Sequence, residues 1–226
     1  MTTCLVDVLT PAERETVTKT LADAPFAPGR ATAHGPARER KHNLQVARAQ
    51  CEGLARIDRL LVDALCRVPE FNRATLPRRF APPLYARYEP GMAYGSHVDA
   101  AVLGSGTQDP MRADLAVTVF LSDPSEYAGG ELALQTSFGE HEVKLPAGSA
   151  VVYPATTLHQ VRAVTRGARL VAVTWVQSWV RDPAVREILS DISRTAEAVQ
   201  RNSPGSEESL LLSRAHANLL RRESDG

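Results

Sequence analysis

The chain has 226 residues, 26 basic against 26 acidic for a formal net charge of zero, and 43% of them are hydrophobic. That length suits one ordinary domain with an appendage, and the hydrophobic share suits a sizeable core. The charge balance argues against a protein that coats nucleic acid, which carries a basic excess.

Residues 1 to 9 lack the basic start and apolar run of a signal peptide. No stretch reaches the ~20 apolar residues of a membrane helix. A cytoplasmic, reducing location is therefore expected. Cys4, Cys51 and Cys66 form no CxxC pair and are odd in number, so they give neither a disulfide framework nor a zinc signature and are read as incidental or buried thiols.

In chain order, Thr10-Pro11-Ala12-Glu13 is a capping box with proline at the first helical position, predicting a helix to about Asp23. The Pro- and Gly-rich stretch 25–29 breaks it, and residues 30–42 look irregular. Leu44, Ala47, Cys51, Leu54, Ile57, Leu60, Leu61 and Leu65 fall near helical spacing, predicting a helix from Asn43 to Val68.

After Pro82 the pattern changes to short strands: 84–88, 115–121, 131–134, 141–145, 149–154, 159–164 and 169–177, with Gly/Pro turns between them. This suggests a sandwich or jelly roll. Asp182-Pro183 then caps a helix with an apolar stripe through Val185, Ile188, Leu189, Ile192, Ala196 and Val199. A linker at 202–206 precedes a last short helix. The stripe could pack on the core or pair with a second subunit. The expected organisation is an N-terminal helical segment over 1–79 packing on the core, a mainly β core over 80–180 and a helical extension over 181–226.

His97-Val98-Asp99 places two ligand types at i and i+2, which share one face of a strand. Alone such a triplet is weak. His159 adds a second imidazole on a neighbouring segment of the β core. Two histidines and one carboxylate on one face leave coordination positions open, as in non-haem Fe(II) oxygenases. Arg169 opens the apolar run Leu170–Val173, where a cation is costly unless paired; its planar fork suits a carboxylate. By itself Arg169 also reads as half of an internal salt bridge or as an exposed edge residue. His34, His42, His141 and His216 read as surface histidines, and Arg112 with Asp114 as a salt bridge.

Taken together the set resembles a known family. His97-x-Asp99, His159 and Arg169 ten residues later are similar to the Fe(II)/2-oxoglutarate-dependent dioxygenases of the prolyl and lysyl hydroxylase type, and most to the bacterial PKHD-type hydroxylases. Further residues carry the likeness: 87–99 (RYEPGMAYGSHVD), 121–124, Tyr127-x-Gly129-Gly130-Glu131-Leu132, 146–150, Tyr153-Pro154 and Trp175–Ser178. It covers residues 80 to 185 firmly.

The resemblance implies a double-stranded β-helix (jelly roll) core flanked by helices, with iron at one open end. It implies Fe(II) on His97, Asp99 and His159, and 2-oxoglutarate as cosubstrate chelating the metal, with its distal carboxylate on Arg169. L-ascorbate is the implied reductant. Tyr88, nine residues before His97, stands where relatives have a tyrosine that reaches the cosubstrate; the plain alternative is a core aromatic. Tyr94 is pocket wall or packing. Phe120 stands where animal prolyl hydroxylases have a second tyrosine, leaving Thr118 as a candidate donor.

The substrate is expected to be peptidyl or a small molecule, with no nucleic acid and no membrane. Loop 101–111 is a candidate lid, and Lys41–Gln45 reads as a solvated helix cap more readily than as an entrance wall. The rival readings are a non-catalytic metal-binding β-barrel, which would not need Arg169, and an interaction protein working through its C-terminal helices. Halogenation is disfavoured because Asp99 is present.

Overall fold

The computed structural model describes residues 2–32 and 35–224. Leu115–Phe120, in which every residue is buried, lies in the middle of the larger of the two main antiparallel sheets, which two short strand pairs accompany. Its neighbours are Ala150–Pro154 and Arg169–Ser178. Alternate residues serve two different cores. Leu115, Val117 and Val119 pack with Val17, Leu21, Ile57, Leu61 and Leu65 of the helices behind the sheet. Ala116 and Phe120 pack with Leu132, Leu134 and Val143 of the smaller sheet. Both faces are covered, which is why this strand reads as a continuous apolar, β-branched run.

Thr3–Leu5 extends the larger sheet at one edge; Leu84–Tyr88, Leu44–Val46 and Phe26–Pro28 extend it at the other, and Pro77–Phe80 pairs with the far end of Arg169–Ser178. The smaller sheet runs Gly139–Val143, Leu132–Thr136, His159–Val161, Ala93–His97, Lys41–His42. Two facing antiparallel sheets with helices against the back of one make the expected mainly β core with flanking helices, a double-stranded β-helix.

The first helix is Pro11–Ala22, and its capping box is complete: Glu13 N–H donates to Thr10 Oγ1, and Thr10 N–H to Glu13 Oε2 at 2.9 Å. Asp182 caps Pro183–Asn202 by accepting from Ala184 N–H at 2.7 Å. The final helix, Glu207–Glu223, is longer than expected. Arg73 pairs with Glu197 at 2.9 Å, fastening the first of these C-terminal helices to Pro69–Thr75.

The helix expected over Asn43–Val68 is a correction. Only Leu54–Arg67 is helical. Leu44–Val46 is a strand between Phe26–Pro28 and Leu84–Tyr88, followed by a 3-10 turn at Arg48–Gln50. Gly53, at φ 78°, turns the chain into the helix. Long-range pairing outweighs the local spacing of Leu44, Ala47 and Cys51. Residues 30–42 are also less irregular than expected, with one helical turn at Pro36–Glu39 and the strand Lys41–His42. The strand expected over 159–164 is interrupted: His159–Val161 lies in the smaller sheet, and Val164–Arg166 pairs with Ala128–Gly129.

Among the described residues no helix is long and apolar enough to cross a membrane. The three cysteines are unpaired. Arg112 and Asp114 form the expected ion pair, Nε to Oδ1 at 2.7 Å, and Asp114 also accepts from Ser178 N–H at 2.8 Å. His42 and His141 are exposed and His216 is half-buried; His34 lies outside the described residues.

Candidate metal centre

His159 stands directly opposite His97 where His159–Val161 pairs with Ala93–His97. Their rings are 4.2 Å apart. Asp99 Oδ1 lies 3.9 Å from His97 Nε2 and 3.8 Å from His159 Nε2. The three ligand atoms lie within 4.8 Å of one another, and this is the one such group of metal-ligating side chains among the described residues. One expectation is corrected: Asp99 is not on a strand. The strand ends at His97, and Asp99 reaches the cluster from the irregular stretch after it.

Each group is oriented from behind. His97 Nδ1 is 2.8 Å from Gly95 O and His159 Nδ1 is 2.9 Å from Thr157 O. A carbonyl only accepts, so each Nδ1 carries the proton and each Nε2 presents its lone pair to the cluster. Burial, with His159 close by, pulls the His97 imidazolium down to a pKa of about 3, so His97 is neutral at ordinary pH and ready to ligate. Tyr94 stacks on His97 at 3.6 Å and the edge of Tyr153 meets His159 at 5.2 Å.

Trp175 Nε1 donates to Asp99 Oδ2 at 2.9 Å, leaving Oδ1 turned toward the histidines. Sequence reading missed this role, because an aromatic in an apolar strand looks like core. Trp175→Phe is expected to keep the fold and to lower metal affinity roughly 10- to 100-fold, the usual cost of losing an outer partner of a ligand; equilibrium dialysis against Fe(II) under nitrogen measures it.

The cluster opens into a cavity of about 270 Å³ that also contains Arg169, Tyr88, Thr118 and Lys41. Arg169 is 1% exposed. Neither alternative reading of it holds, since it is neither at an exposed edge nor in a salt bridge: among the described residues no carboxylate stands within ion-pair distance, and Nε has no hydrogen-bond partner. The rings of Tyr88 and Phe120 lie 5.2 and 5.6 Å from its guanidinium carbon. Tyr88 sits opposite Arg169 in the sheet register, and burial pushes its phenol up, keeping it a neutral donor.

Gly130 gives the Arg169 stem its room: a β-carbon there would come 3.1 Å from Arg169 Cδ and 3.2 Å from the Tyr127 ring, at φ +70°. Tyr127, which the sequence offered only as part of the family likeness, thus packs beside Arg169.

Lys41 corrects the sequence reading most. The segment 41–45 is not a solvated cap: Lys41 is 5% exposed, Asn43 3% and Gln45 7%, and all three line the cavity. Burial brings the Lys41 ammonium down to a pKa of about 8, with Asp99 pulling the other way. Val98 and Ala100, leading into the 101–111 loop, and Leu103 within it also line the cavity.

Two neutral imidazoles and a carboxylate on one side of a point suit a divalent iron with open positions. An unpaired buried guanidinium in the same cavity suits a second, distal acid group. Comparison with known proteins agrees. Residues 83–177 match the model of the 2OG-Fe(II) oxygenase superfamily. The chain is 43% identical to a PKHD-type hydroxylase of Methylobacterium nodulans over 96% of both chains, and 41% identical to one of Xanthomonas campestris over 97% of both.

Solved structures share the fold at low identity. A Pseudomonas putida prolyl-4-hydroxylase has TM-score 0.51 at 21% identity, covering 78% of this chain and 92% of its own. The Trichoplax adhaerens prolyl hydroxylase, in complex with a hypoxia inducible factor peptide fragment, has 0.56 at 14%, covering 77% and 82%. HygX of Streptomyces hygroscopicus, with nickel, 2-oxoglutarate and hygromycin B bound, has 0.54 at 14%, covering 79% and 84%. With near full-length identity above 40% to the bacterial enzymes, the chain belongs to the PKHD-type hydroxylases of the 2OG-Fe(II) oxygenase superfamily.

Proposed function

We propose that His97, Asp99 and His159 hold Fe(II), that Arg169 takes the distal carboxylate of 2-oxoglutarate with Tyr88 as a neighbouring donor, and that the chain hydroxylates a peptidyl or small-molecule substrate. The observation that carries this is Arg169: a buried cation with no internal acid, in the same cavity as the three ligands. A metal-binding β-barrel without catalysis has no use for such a charge, and burying it unpaired is costly.

Bound Fe(II) supplies redox chemistry that side chains lack, coupling O₂ reduction to loss of succinate and CO₂ from 2-oxoglutarate and to oxidation of a substrate C–H bond. The chain's own residues orient and insulate. Gly95 and Thr157 carbonyls fix the two imidazoles, and Trp175 fixes Asp99. Arg169 and Tyr88 set the depth and direction of the cosubstrate. Leu132, Val161 and Val173 line the wall and exclude water.

The same reading includes L-ascorbate as reductant, on family likeness alone, and a cytoplasmic location, which the unpaired cysteines suit. Residues 80–180 serve in it as most of the dioxygenase core, 1–79 as the N-terminal segment that adds edge strands to both sheets and helices behind the larger one, and 181–226 as the helical extension. Exposed Ile188, Leu210 and Leu211 on that extension support homo-oligomer formation through it. The net charge of zero favours a substrate other than nucleic acid.

The test is succinate release from 2-oxoglutarate by the purified protein with Fe(II), L-ascorbate and air. Release that stops on chelation of iron is expected. No release, together with no binding of 2-oxoglutarate to the iron-loaded protein, would return the chain to the non-catalytic metal-binding reading.

A further inference from the structure

Lys41 is the one buried charge of the cavity that the cofactor and cosubstrate leave unused. It sits opposite Tyr94 where Lys41–His42 pairs with Ala93–His97, on the same sheet as both histidines. Its Nζ is 5.2 Å from the centre of the Tyr94 ring, which itself stacks on His97 at 3.6 Å. The ammonium therefore stands beside the metal cluster. Arg169 belongs to the other sheet.

The interior of the protein does little to satisfy this charge. Lys41 Nζ donates to Thr32 Oγ1 at 2.7 Å, and no carboxylate among the described residues comes within ion-pair distance. Thr32 in turn donates to Gln45 Oε1 at 2.7 Å. This commits the Gln45 carbonyl and leaves its NH₂ as a donor with no acceptor among the described residues. The Asn43 amide oxygen, an acceptor, is buried nearby without a donor among the described residues. A buried cation held by one hydroxyl and one ring face is under-satisfied. The donors this wall offers an incoming acid are the Lys41 ammonium and the Gln45 NH₂.

Charge balance points the same way. Fe(II) and the Arg169 guanidinium together neutralise Asp99 and the dianion of 2-oxoglutarate. The remaining charged group lining the cavity is Lys41. 2-Oxoglutarate has no third acid group to give it. The cavity, about 270 Å³, must also take the cosubstrate, so what enters beside it is small.

Resting on the iron and 2-oxoglutarate reading above, we propose that Lys41 anchors the primary substrate by receiving its carboxylate next to the iron, and that this substrate is an amino-acid-sized acid, or a moiety of that size, oxidised a few bonds from its acid group. Lys41 is a specificity-determining residue in this reading, with Gln45 as its co-donor.

The test is calorimetric and needs no turnover. Enzyme loaded with Fe(II) and 2-oxoglutarate under nitrogen is titrated with N-acetyl amino acids covering the proteinogenic side chains, each beside its carboxamide. At least one acid is expected to bind about tenfold or more tighter than its amide, the scale of one charge-assisted hydrogen bond. In Lys41→Met that preference is expected to vanish, and in Lys41→Arg to persist, while both keep the wild-type affinity for 2-oxoglutarate. Lys41→Gln serves if the methionine variant unfolds.

The proposal is overturned if no acid outranks its amide in the wild type, whether or not either binds. It is equally overturned if Lys41→Met keeps the preference, or if Lys41→Met loses 2-oxoglutarate as severely as Arg169→Met does, which would make Lys41 a cosubstrate ligand. Arg169→Met binding 2-oxoglutarate like the wild type would instead be a failure of the parent reading, visible separately in the same experiment.

Discussion

Arg169→Met is expected to raise the 2-oxoglutarate concentration for half-maximal turnover by a factor on the order of 10² to 10⁴, and to leave the melting temperature unchanged or higher. The first half follows from the fork. Two charge-assisted hydrogen bonds to a carboxylate, at about 1.5–3 kcal/mol each, correspond to two to four decades of affinity. The second half follows from Arg169 having no internal acid, with Nε unpartnered and the residue 1% exposed.

Beyond the faces of the Tyr88 and Phe120 rings, such a charge has no ion-pair partner among the described residues, and an apolar side chain of similar length fills the same space beside Gly130 without the desolvation cost. Steady-state kinetics and thermal unfolding of the ligand-free variant measure the two halves independently. A variant that loses stability and keeps its cosubstrate requirement would make Arg169 a structural residue.

Asp99→Ala is expected to cost more than the roughly 10- to 100-fold typical of outer-shell partners, taking iron-dependent succinate release below detection. It removes the only anionic ligand of the cluster and leaves Trp175 Nε1 without its acceptor. The two imidazoles that remain, held through Nδ1 by the Gly95 and Thr157 carbonyls, carry no negative charge to offset the metal's. His159→Ala is expected to do the same. Metal analysis of the purified variants beside their turnover checks both, and undiminished turnover in either would sink the triad assignment. Asp99 is half-buried on an irregular stretch outside both sheets, so neither sheet depends on it and circular dichroism is expected to be unchanged.

The parts of the site that were legible in the sequence are those whose chemistry conflicts with their surroundings. Arg169 at the head of Leu170–Val173, and histidines on strand-like segments, stand out because apolar strands tolerate polar groups only for a reason. The β core was legible for a related cause: Leu115–Phe120 and Ala150–Pro154 are fully or nearly fully buried, so their apolar runs have no competing pattern.

The features that escaped depend on pairing between distant parts of the chain. Lys41 looked solvated because its neighbours Leu44, Ala47 and Cys51 mimic a helical stripe. Its burial is created by Tyr94 opposite and by Leu44 pairing with Arg87. Trp175 and Asp99 are 76 residues apart, and nothing local to either announces their hydrogen bond. Thr3–Leu5 is three residues long, too short to show alternation, and is a strand only because Ala150–Pro154 offers it an edge. Asp99 was singled out on the argument of a shared strand face, which the chain does not use: it joins the two histidines from the irregular stretch after the strand.

The most direct test is anomalous diffraction at the iron edge from crystals grown without oxygen in Fe(II) and 2-oxoglutarate. The expected result is one iron contacted by His97 Nε2, Asp99 Oδ1 and His159 Nε2, with the far carboxylate of 2-oxoglutarate on the Arg169 guanidinium. Iron bound elsewhere, or a cosubstrate that leaves Arg169 without a carboxylate, would contradict the assignment of this site.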